Sequence, residues 1–151
     1  MRRTGLLMAA TALLMVIVAG AALAAVIDGD GGDNTLNGTN GADTIRGLAG
    51  ADRINGRGGA DTLRGGRGND ALLRGATGVD LIYGGRGADH VLAEEDDGAD
   101  DTVNAGAGND VIEADGDEGV DTVSCGTGTD QVSFDEGIDE IAADCEDLDG
   151  G

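Results

Sequence analysis

The sequence predicts an all-β chain wound as a coil of short strands and tight turns. Three observations point there. An aspartate, then any residue, then an aliphatic residue recur at nine-residue spacing along most of the chain. Glycines fall in phase with them, five and two residues before the aspartates. The 30 glycines, with no proline and only Tyr83 and Phe134 as aromatics, leave little from which an ordinary globular core is built. With a net charge of −21, this composition would describe disorder unless something periodic contradicted it. The repeat is that contradiction.

The first residues are a different material. Arg2 and Arg3 make a positive start, Leu6 to Val18 is almost wholly apolar, and Ala22-Leu23-Ala24 has the small-x-small form of a cleavage site. Residues 1–24 therefore read as a secretory signal peptide and 25–151 as the mature chain. The apolar run extends to Ile27, long enough to span a bilayer, so an uncleaved membrane anchor is the alternative. After residue 24, seven arginines face thirty acidic residues, a charge of −23 with no lysine. The last arginine is Arg86, and from Glu94 onward every charged residue is acidic. That sign excludes nucleic acid as a partner. It favours a hard cation such as calcium, which seeks carboxylate and carbonyl oxygens.

The repeat sets out each element in turn. Asn34-Thr35-Leu36, Asp43-Thr44-Ile45, Asp52-Arg53-Ile54, Asp61-Thr62-Leu63 and Asp70-Ala71-Leu72 follow one another by nine residues. Asp80-Leu81-Ile82 comes after a one-residue slip, and Asp89-His90-Val91 resumes the period. Segments led by Asp101, Asp110, Asp121, Asp130 and Asp139 continue it through two acidic insertions, around 94–100 and 114–120. A six-residue turn that points carbonyls inward needs positive φ angles, which glycine adopts at least cost. The residues after each aspartate alternate like a short strand with the aliphatic side chain inward. Nine residues thus make a turn and a strand, and eighteen make a full coil. The expected core sets Leu36, Ile54, Leu72, Val91, Ile112 and Val132 against Ile45, Leu63, Ile82, Val103, Val123 and Ile141. The slip predicts a small bulge between Leu72 and Gly75.

Gly65-Gly66-Arg67-Gly68-Asn69-Asp70-Ala71-Leu72 and Gly84-Gly85-Arg86-Gly87-Ala88-Asp89-His90-Val91 spell G-G-x-G-x-D-x-U, with U aliphatic, in full. Over about residues 28–145 the chain resembles the repeats-in-toxin (RTX), or hemolysin-type calcium-binding, family. The resemblance implies a right-handed parallel β-roll, a β-solenoid of about six coils, with Ca²⁺ held between successive turns on each edge. One edge would carry the turns ending at Asn34, Asp52, Asp70, Asp89, Asp110 and Asp130. The other would carry those ending at Asp43, Asp61, Asp80, Asp101, Asp121 and Asp139. The implied ligands are the carboxylates of Asp43, Asp52, Asp61, Asp70, Asp80, Asp89, Asp110 and Asp130, with carbonyls near Gly38, Gly47, Gly56, Gly65, Gly75 and Gly84. Asn34 lacks the carboxylate, and the glycine pattern frays before Asp101, Asp121 and Asp139, so these four positions are expected to be weaker. Arg57, Arg67 and Arg86 lie within turns and could compete with a cation unless they point outward. The insertions are extra acidic ligands or, the favoured reading, solvated loops. About ten inter-turn sites would follow from the family arrangement, and Mg²⁺ fits them less well because it demands rigid octahedral geometry. Twelve aliphatic side chains bury little against the backbone entropy of more than a hundred residues, so folding is expected to be coupled to the metal.

Cys125 and Cys145, twenty residues apart, are expected to form a disulfide within a C-terminal cap spanning about 124–151, in keeping with the Cys-Gly … Asp-Cys-Glu endings of secreted family members. A metal-binding or reactive thiol pair is the alternative. Catalytic machinery is hard to assemble. His90 is the single histidine and reads as a surface residue, and Ser124 and Ser133 have no histidine in register. Gly66-x-Gly68-x-x-Ala71 imitates a dinucleotide loop, but another glycine turn follows where a helix should open. Asp28-Gly29-Asp30 begins like an EF-hand loop, but Thr39 stands where the closing glutamate belongs. The threonines at 44, 62, 102 and 122 look too irregular for the flat lattice match of an ice-binding roll. The reading is a secreted calcium-binding structural or binding module without catalysis, its protein or surface partner not named by the sequence. The alternatives are an accessory or remnant domain of a secreted toxin or hydrolase, and a membrane-anchored surface or adhesion protein.

Overall fold

A computed structural model of the chain describes residues 23–93, 98–116 and 118–150. Nearly all of the expected signal segment lies outside the described residues, as do 94–97 and 117 of the two insertions. The first coils contain β1 (Val26–Asp28), β2 (Thr35–Asn37), β3 (Thr44–Ala49), β4 (Arg53–Gly58), β5 (Thr62–Arg67), β6 (Leu72–Thr77) and β7 (Leu81–Arg86). β8 (His90–Leu92), β9 (Thr102–Ala107), β10 (Val111–Ala114), β11 (Thr122–Thr127), β12 (Gln131–Phe134), β13 (Glu140–Ile141) and β14 (Asp147–Gly150) follow. Odd-numbered strands form one seven-stranded parallel sheet and even-numbered strands form the other. Each coil lays one strand on each sheet, so the chain is a β-solenoid of about six coils, as the repeat predicts.

The x-U-x triplet explains the strands. In β5, Leu63 is fully buried while Thr62 and Arg64 flank it on the outside. The register stacks Ile45, Leu63, Ile82, Val103 and Val123 in a column on one sheet. Ile54, Leu73, Val91, Ile112 and Val132 form the facing column. Ile27, Leu36 and Ile141, in end strands with a neighbour on one side alone, are only partly buried.

The slip falls earlier than the sequence suggests. Leu72 pairs with Arg53 on the outside, and Leu73 pairs with Ile54 and takes the core position. Ala71, exposed between Asp70 and the strand, is the extra residue, and its N–H bonds the carbonyl of Asp52 at 2.9 Å. The expected bulge after Leu72 is therefore replaced by one before it, which keeps Gly75 in phase. The threonines also differ from expectation: Thr44, Thr62, Leu81, Thr102 and Thr122 stand in one column, interrupted only by Leu81.

The glycines do two different jobs. In the turn Gly65–Asp70, Gly66 and Gly68 take φ of 118° and 125°. The second-position residues Leu48, Arg57 and Ala76 tolerate the same region, at 79°, 81° and 68°. Gly65 does not take positive φ; it is needed for space, because a Cβ there would run into Asp70 Oδ2 and the Gly84 carbonyl. The first six turns leading from odd to even strands end at Asn34, Asp52, Asp70, Asp89, Asp110 and Asp130, each six residues long, with Ala71 added after Asp70; the last, between β13 and β14, is shorter. Both acidic insertions fall on the opposite edge.

Candidate metal centres

Each turn delivers its aspartate to the same place. Asp70 is 1% exposed, and its Oδ1 accepts the backbone N–H of Asp52 in the preceding coil at 2.9 Å. Its own N–H donates to Asp89 Oδ1 in the next coil at 2.8 Å. Repetition of this contact makes a ladder along each edge. One runs from Asn34 through Asp52, Asp70, Asp89 and Asp110 to Asp130, with steps of 2.8–2.9 Å. The other runs from Ala25 through Asp43, Asp61, Asp80, Asp101 and Asp121 to Asp139, with steps of 2.5–3.0 Å. The structure thus brings all twelve expected positions into two rows, on the edges the nine-residue spacing assigns them.

The second carboxylate oxygen is the unusual atom. In Asp52, Asp61, Asp70, Asp89, Asp110 and Asp130, Oδ2 is buried and receives no hydrogen bond. A buried polar atom left so is costly and marks a place where something further is required. Opposite it lies a carbonyl oxygen of the next coil. A Cβ added at Gly47 would run into both Asp52 Oδ2 and the Gly65 carbonyl, so the two oxygens flank the same bare glycine. Gly56 joins Asp61 to the Gly75 carbonyl in the same way, Gly65 joins Asp70 to that of Gly84, and Gly84 joins Asp89 to that of Ala105. Burial holds the carboxyls of Asp61 and Asp70 up at about 6 and that of Asp89 at about 7, and it raises Asp110. The donated N–H pulls each back, and neighbouring carboxylates push it further up. Among the described residues no three acidic, histidine or cysteine side chains converge as a ligand group. The donor set is one carboxylate oxygen per turn with backbone carbonyls, hard oxygens of the kind calcium takes.

The first coil is built differently. Asn34 Nδ2 donates to Asp30 Oδ1 at 3.2 Å, and Asp30 N–H returns a bond to Asn34 Oδ1 at 2.8 Å. The Gly32 N–H, helped by Asn34, draws the Asp30 carboxyl below its ordinary range. Asp43 is likewise satisfied: Thr39 donates its N–H to Oδ2 at 2.5 Å and its hydroxyl at 3.1 Å. At the far end, Asp139 accepts from Asp121 and Asp135 on its two oxygens. Asp30 and Thr39 were not singled out by the repeat, because they occupy the second turn position, where almost anything is found. A polar side chain at the second position, able to bond the residue at position six, is the signal in the sequence.

The C-terminal end is closed covalently. Cys125 and Cys145 form a disulfide with Cα atoms 5.2 Å apart, as expected. Beside it, Asp144 Oδ2 accepts the Ser124 hydroxyl and the Gly126 N–H, each at 3.0 Å. Glu146 takes over the next rung from the aspartates, accepting the Asp130 N–H at 3.3 Å. His90 lies on the outer face, 2.7 Å from Glu113, and Ser133 bonds Asp115. Arg57, Arg67 and Arg86 are exposed and do not enter the turns they belong to.

A search of curated proteins finds no match. The family described as RTX calcium-binding nonapeptide repeat matches in four copies, over residues 26–45, 37–72, 72–99 and 95–132. Those copies span β1 to β11 and the ladder positions from Asn34 to Asp130, and the chain belongs to the RTX calcium-binding nonapeptide repeat family.

Proposed function

We propose that this is an exported protein whose coils hold several calcium ions between successive turns, as a structural or binding module without catalysis. The observation that carries the proposal is the buried, donorless Oδ2 of Asp52, Asp61, Asp70, Asp89, Asp110 and Asp130. These residues would hold calcium together with the carbonyls of Gly65, Gly75, Gly84 and Ala105, and Asp80 belongs to the same rows. Asp43, Asp101, Asp121 and Asp139 are the lesser candidates, and Asn34 is none. Bound calcium would supply the positive charge that neutralises these carboxylates. The chain's own residues position the oxygens: the ladder N–H groups orient each carboxylate, and the first-position glycines let neighbouring coils close on it.

Export rests on the signal-like residues 1–24, with the folded module beginning at about residue 25. The oxidised cysteine pair suits an extracellular compartment. N-terminal sequencing of secreted material tests this part: a start near Ala25 is expected, and retention of Leu6–Val18 would favour the membrane anchor. The main test is circular dichroism of the purified chain during a calcium titration, with calorimetry in parallel. A gain of β signal with calcium and its loss with chelator are expected. Absence of calcium heat would overturn the function, and binding without a β gain would overturn the coupled folding.

A further inference from the structure

The first half of the rod departs from the rest of this acidic molecule: Arg53, Arg57 and Arg74 lie on the even-strand sheet, and Arg46, Arg64, Arg67 and Arg86 lie on the odd-strand sheet. On the outside of the odd-strand sheet, Arg46, Arg64, Tyr83, Asn104 and Ser124 form a column beside the threonine column. Neither column carries an acidic residue between Thr44 and Ser124. The Arg64 guanidinium lies over the Tyr83 ring, 4.9 Å from its centroid. Arg67 and Arg86, exposed and adjacent in register, extend the positive charge to the edge. Arg46 is engaged at one end by Asp28, 3.0 Å away.

The opposite sheet is acidic at its far end. Val111, Glu113, Gln131, Ser133, Asp147 and Asp149 line a shallow groove of about 300 Å³ on its outer surface. Glu113, Ser133 and Asp149 stand in successive strands of one column. The split follows the whole chain. Residues 25–93 hold all seven arginines beyond the leader, and residues 94–151 hold 21 acidic residues with no lysine or arginine. In the first half, Asp43, Asp52, Asp61, Asp70, Asp80 and Asp89 are buried in the ladders. Only Asp28, Asp30 and Asp33 remain to offset the arginines outside.

We infer that the basic odd-strand face of one copy of this chain docks on the acidic even-strand groove of a second copy. Both surfaces are parallel sheets with the same strand spacing of about 4.8 Å, and sheets pack face to face about 10 Å apart. Complementary potentials steer such an encounter. An anionic polymer is a poorer occupant, because the acidic half repels it, whereas a second copy brings its own arginines to that half. The two surfaces are different, so the contact is heterologous and leaves each copy with one free face, which yields open rows rather than closed dimers. The inference rests on the calcium reading, since the ladder carboxylates must be neutralised before two such chains approach.

Sedimentation velocity of the purified chain in calcium, over a concentration series at about 20 mM and about 500 mM salt, tests it. A mean mass that grows with concentration at low salt and returns to the monomer at high salt is expected. Arg46→Glu/Arg64→Glu should weaken association about tenfold or more while leaving the β signal and calcium uptake intact. Glu113→Arg/Asp149→Arg should do the same, and an equimolar mixture of the two variants should associate again. A folded, calcium-loaded chain that stays monomeric at low salt overturns the inference and leaves the calcium reading standing. So does binding of dextran sulfate through Arg46 and Arg64 without self-association. A chain that takes up no calcium and gains no β signal removes both.

Discussion

Asp52 donates its backbone N–H to Asp70 Oδ1 across 2.9 Å, and the companion oxygen of Asp70 is buried with no donor. One half of the carboxylate therefore joins two coils, while the other half carries a charge that the protein alone does not balance. The fold without metal and the fold with metal should respond to substitution in opposite directions.

Asp70→Asn separates the two roles. The amide oxygen keeps the bond to Asp52, and the amino group replaces Oδ2 beside the Gly84 carbonyl. In chelator the variant should be stabler by about 1–3 kcal/mol in urea unfolding, because a buried unpaired oxygen becomes a donor. In calcium it should bind fewer ions and lose stability relative to the parent. A lower midpoint in chelator would refute this account of Oδ2.

The first coil offers the reverse experiment. Asn34→Asp removes the donor to Asp30 and sets two carboxylates together. Its metal-free structure should be weakened, and equilibrium dialysis should count one additional calcium per chain. An unchanged count in a folded variant would show that the first turn cannot be made into a site by charge alone.

Acid should stabilise the metal-free fold. Asp61, Asp70 and Asp89 have folded pKa values of about 6, 6 and 7, above the ordinary 3.8. For such groups the folded state binds protons more tightly, so the contribution is complete below about pH 4 and is lost as pH rises through 6–7. In chelator, the urea midpoint should fall between pH 5 and pH 8. In calcium the dependence should reverse, because protons compete for the same oxygens. A chelator midpoint that rises with pH would contradict the burial of these carboxyls.

Gly65→Ala places a methyl group against Asp70 Oδ2 and the Gly84 carbonyl. It should destabilise the calcium-loaded chain by about 1–3 kcal/mol by overpacking. Gly31→Ala, with nothing within 4 Å of the added carbon, is the control and should be near neutral in thermal unfolding. Equal effects at the two positions would mean that space is not what the first glycine provides.

The disulfide secures the last coil. Cys125→Ser/Cys145→Ser should cost about 3 kcal/mol. Hydrogen exchange should show the loss confined to the strands after Val111, since coils contact only their neighbours. Loss of protection that reaches Ile45 would indicate a single cooperative unit instead.

The period made the architecture legible, because an aliphatic residue every nine positions admits only one inward face per strand. It also placed the twelve ladder positions on their edges, since eighteen residues return the chain to the same side. Three things escaped it. Ala71 was invisible because Leu72 and Leu73 are equally good core residues, and only the pairing with Arg53 and Ile54 decides between them. The spatial role of Gly65 is hidden behind the φ requirement of its neighbours, since glycine looks the same in sequence for either cause. Asp30, Thr39, Asp144 and Glu146 act by capping the ends, where the repeat has no neighbour to repeat against.

The edge whose first six turns keep six residues, Ala71 being the one addition among them, gives the molecule the character of a ruler. Each added coil advances the rod by one strand spacing, about 4.8 Å, whatever its outer residues are. Along that edge, reach is a count of duplications, and length can change without renegotiating the core. The opposite edge, where the insertions sit, is where members built to one gauge can acquire different surfaces.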